Sequence, residues 1–419
     1  MTRHHCGLDF GTSNSTLAVT DGTTPARLVP LEDGKPTIPS AIFFSFEDDT
    51  MLFGRRAIND YVGGADGRLM RSIKSVLGTA LFADSTRIKR RVLPFADILG
   101  LFIAEIKARA ETKLGVPITQ IVCGRPVRFV DDDDAADALA QSQLEAAVRA
   151  TGYRHVEFQF EPIAAALDYE QQVSAEELAL VADIGGGTSD FTVIRVSPER
   201  ARAIDRKADI LATTGVHIGG TDLDRLLSLR KVMPLLGYGT ETADGKRPLP
   251  SGPYYDLATW HRINRLYTAK TIAELRSTVK EAQWPDLAAK MLALVEDRQG
   301  HRLAGRVEDS KIALSEADAT EFQFRTRDVA LDTPMTRAEF SRTIAGASAG
   351  ITDAIERALR AAGVARSAID TLILTGGSTR VPAITAGLRG LLPEAKPVET
   401  DAFGSVGLGL SLDAARRFR

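Results

Sequence analysis

Two short stretches of the chain carry residues whose types and spacing suit phosphate chemistry. Gly7-Leu8-Asp9-Phe10-Gly11-Thr12-Ser13 and Ala182-Asp183-Ile184-Gly185-Gly186-Gly187-Thr188-Ser189 each run from an apolar strand to an aspartate, an apolar residue, a glycine turn and then Thr-Ser. Glycines let backbone N–H groups approach an anion with no Cβ in the way, and the following hydroxyl adds a donor. The aspartate closing each strand would set a carboxylate beside those phosphates, which makes electrostatic sense only with a cation between them. Magnesium suits, because it keeps most of its waters and is held through carboxylates and substrate phosphates. Either stretch alone reads equally well as a structural hairpin turn. Two matched copies, about one domain's length apart, favour the nucleotide reading and suggest a duplicated unit. A third glycine element, Leu374-Thr375-Gly376-Gly377-Ser378-Thr379-Arg380, ends another apolar strand, where open α/β sheets present their ligand crevice. By itself it divides evenly between a nucleoside surface, with Arg380 over the base, and a plain turn.

The elements that must position these residues follow from periodicity. Residues 6–10 and 17–19 read as strands around the first turn. Leu99, Phe102, Ile103, Ile106, Ala110 and Leu114 recur at helical spacing, with Asp97 placed to cap the start and Gly115 the end. Residues 121–123 read as a strand, 135–150 as a helix, and Val156, Phe158 and Phe160 alternate as a half-buried strand. The same grammar restarts with strands at 178–182 and 191–196 and helices at 222–230 and 287–296. One long helix is expected over 337–362 and a strand at 372–374, while 238–255 is rich in Gly, Pro, Thr and Asp and reads as a loop. This alternation makes an α/β protein.

Composition excludes several classes. The 419 residues are 44% hydrophobic and 26% charged with a net charge of -3, which gives no reason to expect nucleic acid or an anionic membrane as partner. The longest apolar stretch, 98–106, is too short for a bilayer and contains Glu105. No leader pattern opens the sequence. Cys6 and Cys123 are far apart and read as buried thiols, so a cytoplasmic location is expected. The acidic run 131–134 reads as a solvated loop, and His4 and His5 as strand-edge residues without a third ligand.

With these residues in place, the chain resembles the ATPase domain of the DnaK-type, seventy-kilodalton heat-shock chaperones over about residues 7–414. The two phosphate loops are shared with actin and sugar kinases and do not choose among them. Glu161-Pro162-Ile163-Ala164-Ala165-Ala166 resembles the start of the connecting helix, and Gly219-Gly220-Thr221-Asp222-Leu223-Asp224 a further signature. Pro36-Thr37-Ile38-Pro39-Ser40, Leu52-Phe53-Gly54 and Lys311-Ile312-Ala313-Leu314-Ser315 are chaperone-like details that the kinases lack. The resemblance implies an actin-like ATPase fold: two duplicated RNase H-like lobes, 1–175 and 176–419, around a nucleotide cleft, with an enlarged insertion at about 225–330. It implies ATP or ADP and Mg2+ as ligands. Asp9 and Asp183 would hold the magnesium through water. Gly11, Thr12, Ser13, Gly185, Gly186, Gly187 and Thr188 would cradle the phosphates. Lys74 would face the γ-phosphate and attacking water, and Glu161, Asp183 and Asp190 would complete the catalytic charges. Glu308, Lys311, Ser315, Gly376, Gly377, Ser378, Arg380 and Asp401 would surround the adenosine.

The sequence also departs from that family. It stops directly after the last ATPase helix, so a stand-alone, YegD-like member without a peptide-binding domain is expected. Gly124-Arg125-Pro126 keeps the expected proline, but the acidic run beyond it leaves no arginine for the family's interdomain switch. The stretch 224–307, with Trp260 and Trp284, is longer than its family counterpart and should enlarge the region over the nucleotide, where a protein partner is expected. Three functions stay open: a slow chaperone-type ATPase, a small-molecule kinase using the same cleft, and a nucleotide-binding scaffold without turnover.

Overall fold

The computed structural model describes residues 4–130, 132–399 and 404–418. Two large sheets organise these residues, and each is built outward from a hairpin. In the first, β1 (His5–Phe10) pairs antiparallel with β2 (Asn14–Thr20), placing Asp9 opposite Thr16. On its other side β1 runs parallel to β3 (Gln120–Arg125), which runs parallel to β4 (His155–Phe160). In the second, β5 (Glu177–Ile184) pairs antiparallel with β6 (Ser189–Val196), placing Asp183 opposite Asp190. There β6 continues antiparallel to β7 (Ile210–Val216), while β5 runs parallel to β8 (Thr371–Thr375) and β8 to β9 (Lys396–Glu399). Parallel strands covered on both faces are apolar throughout, as in the buried run Leu180-Val181-Ala182.

The helix Phe95–Leu114 covers the first sheet with Phe102, Ile103 and Ile106. It starts two residues before the expected cap: Asp97 lies in its first turn, where its charge favours the helix dipole, and Gly115 closes it at φ 71°. The second core is larger, because Tyr254, Leu257, Met291 and Leu294 from the inserted stretch pack into one cluster with Leu180 and Ala182 of β5. Residues 238–255 are therefore not all loop: the helix Gly252–Ala258 starts within them and buries Tyr254 and Leu257. The expected helix over 222–230 is Gly220–Leu227, continued by a π turn over Ser228–Val232. The expected helix over 337–362 is two helices, Arg337–Thr343 and Ala345–Ala362, interrupted at Ile344. His5 is the first residue of β1, opposite Thr20 of β2, and it is buried. Burial pushes the Cys6 and Cys123 thiols up to about 12, which leaves both as protonated, unreactive packing groups. No helix among the described residues is long and apolar enough to cross a membrane.

Two helices join the sheets. Ile163 and Ala164 of α1 (Glu161–Glu170) share a buried cluster with Ala179 and Val181 of β5, and with Val406 and Leu410 of the last helix, Ser405–Arg417. The approach is so close that a Cβ on Gly409 would sit 1.8 Å from the Ala164 carbonyl oxygen.

Below this junction the Glu170 and Arg206 side chains are fully buried and paired at 2.6 Å. Arg206 also bonds Asp209, and the Ser197 N–H donates to Glu170. Removing one member strands the other charge out of water. Glu170→Ala should therefore lower unfolding stability by about 3–5 kcal/mol, read as a fall in the urea midpoint. Asp134→Ala, which breaks the exposed pair with Arg128, should leave that midpoint unmoved.

Candidate functional site

The first glycine turn is braced from outside its own hairpin. The short strand Thr37–Pro39 pairs with β2, and Ser40 follows it. The Ser40 hydroxyl donates to the Gly11 carbonyl at 2.6 Å, and the Ser40 N–H to the Ser13 carbonyl at 2.9 Å. Pro36-Thr37-Ile38-Pro39-Ser40 is thus more than a family likeness: through Ser40 it fixes this turn.

The second turn is braced from three directions. Gly185 N–H donates to the Thr188 carbonyl at 2.9 Å, closing the turn and leaving Gly187 and Thr188 exposed at its tip. The N–H and hydroxyl of Thr221 both donate to the Gly186 carbonyl, at 2.8 and 2.9 Å, and Ser378 Oγ donates to the Gly185 carbonyl at 2.9 Å. The motifs around Gly219 and Gly376 thus converge on the second glycine turn. A Cβ on Gly376, which holds φ +84°, would sit 2.6 Å from Asp183 Oδ1. The two turns also meet each other: a Cβ on Gly186 would lie 2.6 Å from Ser13 Oγ.

Beside these turns lies the charged cluster. A tight turn over Ile73–Val76 presents Lys74, whose Nζ donates to Glu161 Oε1 at 2.7 Å. Burial opposes the Lys74 charge, but Glu161, Asp9 and Asp183 outweigh it and raise its pKa. Burial pushes Asp9 up to about 7, with Glu161 adding repulsion and Lys74 opposing it. Asp183 is pushed up to about 8 by burial, then by the charges of Asp190, Glu161 and Asp9. The catalytic and metal residues expected from sequence therefore form one electrostatic unit, short of positive charge. Among the described residues no group of three or more His, Cys, Asp or Glu closes a direct metal cage. The donor set consists of hard carboxylate oxygens in excess over the neighbouring ammonium, which fits a hydrated divalent cation.

The residues expected around adenosine form a second group. On α2 (Gly300–Glu316), Glu308, Lys311, Ile312 and Ser315 share one face by their i, i+3, i+4, i+7 spacing. Lys311 Nζ is buried and paired with Asp224 at 3.0 Å. Burial nevertheless pushes Asp224 up to about 7; Lys311 opposes the shift and Glu308 adds to it. A Cβ on Gly220 would lie 2.9 Å from Ser378 Oγ and 3.4 Å from Lys311 Nζ, so this group abuts the second glycine turn. Glu308 is exposed, as is Arg380 at the end of the turn Gly377–Arg380. Ser315 Oγ donates to the Lys311 carbonyl on its own helix. Asp401 lies outside the described residues. Ile312 was given no role from sequence, yet it is a large apolar side chain left 52% exposed on this face; its helical spacing from Glu308 was the available signal.

A cavity of about 300 Å³ opens under the carboxylates, lined by Arg128, Glu161, Asp183, Asp190, Thr192 and Thr214. A larger one, about 770 Å³, lies at the far end of β1 beside His5 and Arg416 and contains none of the expected site residues.

Comparison with known proteins follows the same lines. The family model described as Hsp70 protein matches residues 85–230 and 278–411. The chaperone protein DnaK of one Thermus thermophilus strain is 27% identical over 436 aligned residues, covering 97% of this chain and 60% of the relative. DnaK of a second strain of the same organism matches with the same identity and coverage. The chain thus spans 60% of the length of these relatives.

The raised carboxyls set a pH dependence for the metal-free protein. Asp9 and Asp183 keep protons in the folded state, to about 7 and about 8, that they release near pH 4 when unfolded. The folded state binds more protons across that interval, so stability falls as pH rises from about 4 to 8, by at most about 1.4 kcal/mol per pH unit for each group. Thermal unfolding in EDTA should occur at lower temperature at pH 8 than at pH 5. Asp183→Asn should flatten the profile, and a rise in stability over that interval would contradict the charge assignment.

Proposed function

Because the chain belongs to the Hsp70 family, we propose that it is a slow, magnesium-dependent ATPase whose two related halves close on the nucleotide. The observation that carries this reading is the Lys74–Glu161 ion pair set among Asp9, Asp183 and Asp190, beside two glycine turns in contact with each other. We assign residues 1–175 to one RNase H-like lobe and 176–419 to a duplicated second lobe, with the insertion at about 225–330. The matching hairpin-and-parallel-strand order around Asp9 and Asp183 supports that division.

The turns at Gly11-Thr12-Ser13 and Gly185-Gly186-Gly187-Thr188 would take the β- and γ-phosphates on their N–H groups and hydroxyls. Asp9 and Asp183 would hold magnesium through its waters; when bound, the ion supplies the charge neutralisation that phosphate and carboxylates both need. Glu161 fixes Lys74, so that its ammonium stands ready for negative charge developing on the transferred phosphoryl group. Asp183 and Asp190 face the 300 Å³ cavity, from which an attacking water would be oriented. Glu308, Lys311, Ile312, Ser315, Gly376, Gly377, Ser378 and Arg380 would surround adenosine, Lys311 acting through its pair with Asp224. The relatives' name, chaperone, supports an interaction with another protein, which we place at the inserted stretch, gated by nucleotide; the free, buried Cys6 and Cys123 suit a cytoplasmic setting.

A second reading rests on the cavity itself. Its threonines and carboxylates could hold a small hydroxylated acceptor in place of water, which would make the protein a kinase. Product analysis with a pool of cell metabolites separates the readings: free phosphate supports the ATPase, phosphate on an acceptor the kinase, and intact ATP a scaffold without turnover.

Lys74→Ala tests the chemistry. If Lys74 acts on the transition state, single-turnover hydrolysis should slow by about a hundredfold or more, while ATP affinity changes far less. A rate within about threefold of wild type would remove Lys74 from the mechanism.

A further inference from the structure

The proposed chemistry needs Lys74 fixed, yet a lysine carries its ammonium on a flexible stem. Glu161 holds the far end of that stem, and the backbone must hold the near end. Lys74 stands in the short turn Ile73–Val76, which Ser72 enters at φ 58°, in the left-handed region. Ile73 and Leu77 are buried in the first core. The turn's own bonds close within it: Ser75 N–H donates to the Ser72 carbonyl at 3.0 Å, Leu77 N–H to that of Lys74 at 3.3 Å, and Thr79 N–H to that of Val76 at 3.2 Å. Among the described residues, the backbone bond that leaves this segment runs from Gly78 N–H to Gln143 Oε1, at 2.8 Å, on the helix Asp134–Ala150.

Gly78 and that helix fit each other closely. Gly78 holds φ +75°, and a Cβ there would lie 2.7 Å from the Ala136 carbonyl oxygen, 2.9 Å from Val130 Cγ2 and 3.1 Å from Ala140 Cβ. Ala136, Ala140 and Gln143 recur at i, i+4 and i+7, so one helix face meets the segment. The two alanines let the backbone approach, and the glutamine further along accepts its N–H. The helix is itself well held: Asp133 caps its start, and Ala140, Leu144 and Ala147 are buried in the first core. The bond to Gln143 thus ties the Lys74 turn to a rigid element.

We infer that Gln143 is a positioning residue for Lys74: it braces the turn against the helix Asp134–Ala150 and so sets where the ammonium meets Glu161. The inference rests on the ATPase reading above and on the role given there to Lys74. Gly78 is four residues from Lys74, across one tight turn, so a segment released from the helix carries the lysine backbone with it. The flexible stem can follow and keep its bond to Glu161, which leaves nucleotide binding intact. The ammonium then no longer stands at one fixed point, and stabilisation of a transition state by charge depends on that preorganisation. A misplacement of about 1 Å is enough to cost about a hundredfold in rate. Gln143 acts through the turn and takes no part in the chemistry.

Two variants isolate the bond. Gln143→Met keeps the side chain's length and loses the acceptor, whereas Gln143→Glu keeps an acceptor. Single-turnover ATP hydrolysis should slow by about tenfold or more in Gln143→Met, with ATP affinity within about threefold, and Gln143→Glu should return to within about threefold of wild type. Added to Lys74→Ala, Gln143→Met should slow hydrolysis by less than about twofold further, because no ammonium is left to position. Equal slowing in both backgrounds would overturn the inference, since Gln143 would then act on the fold and not through Lys74. A second arm needs no nucleotide. Acetylation of Lys74 by acetic anhydride, read on its peptide by mass spectrometry, should quicken by about threefold or more in Gln143→Met and not in Gln143→Glu, because a braced, paired ammonium resists the reagent. Unchanged labelling with unchanged hydrolysis would also overturn the inference. Quickened labelling with unchanged hydrolysis would keep the brace and overturn the chemistry assigned to Lys74. A wild-type protein that hydrolyses no ATP would overturn the ATPase reading, and the labelling arm would then decide the brace alone.

Discussion

Like charges crowded beside one ion pair are the constraint on which the rest of the structure depends. Asp9, Asp183 and Asp190 come from two hairpins, Glu161 from the helix that joins the sheets, and Lys74 from a tight turn that brings its ammonium to Glu161. Held this close together, these groups repel more than they attract, and burial with that repulsion raises the Asp9 and Asp183 carboxyls to about 7 and about 8. A fold that maintains such a cluster without a cation carries a cost, which a hydrated divalent ion with a polyphosphate would relieve.

Much of the architecture serves to hold that cluster in place. Asp9 and Asp183 each sit near the end of a central strand whose neighbours on both sides fix its register. Each glycine turn is tied down by residues from elsewhere, Ser40 for one and Thr221 and Ser378 for the other. The close contact of Gly409 with Ala164 lets the last helix press on α1, and Glu161 is the first residue of that helix. A shift of one sheet against the other would therefore change the distances among the carboxylates directly. It would also strain the aromatic contacts of Tyr61 and Trp260 with His301.

The strands around Asp9 and Asp183 were legible in the sequence because apolar runs, terminal carboxylates and glycine turns are local signals. The helix ending at Gly115 was legible for the same reason. What escaped was set by distant partners. The Lys311–Asp224 pair joins residues 87 apart, and the Tyr61–Asn264 bond residues 203 apart, so neither leaves a local pattern. No proline marks the interruption at Ile344, and Gly346, two residues on, lies inside the second helix. The helix Gly252–Ala258 was hidden by flanking turn residues, although Pro253 suits a helix's first turn. Ile312 was passed over because an isoleucine in a helix is usually a core residue, and only the structure reveals its exposure.

Calorimetric titration of ADP into the protein, with magnesium and again with EDTA, tests the central claim most directly. The expected result is saturable binding in magnesium that weakens at least about tenfold in EDTA, because the carboxylate cluster then repels the phosphates without a cation between them. Proton release should accompany magnesium-ADP binding at pH 7, as Asp9 and Asp183 lose the protons that burial and repulsion had retained. Equal affinity in magnesium and EDTA, or no binding at millimolar ADP, would contradict the assignment of this cluster to a metal-nucleotide site.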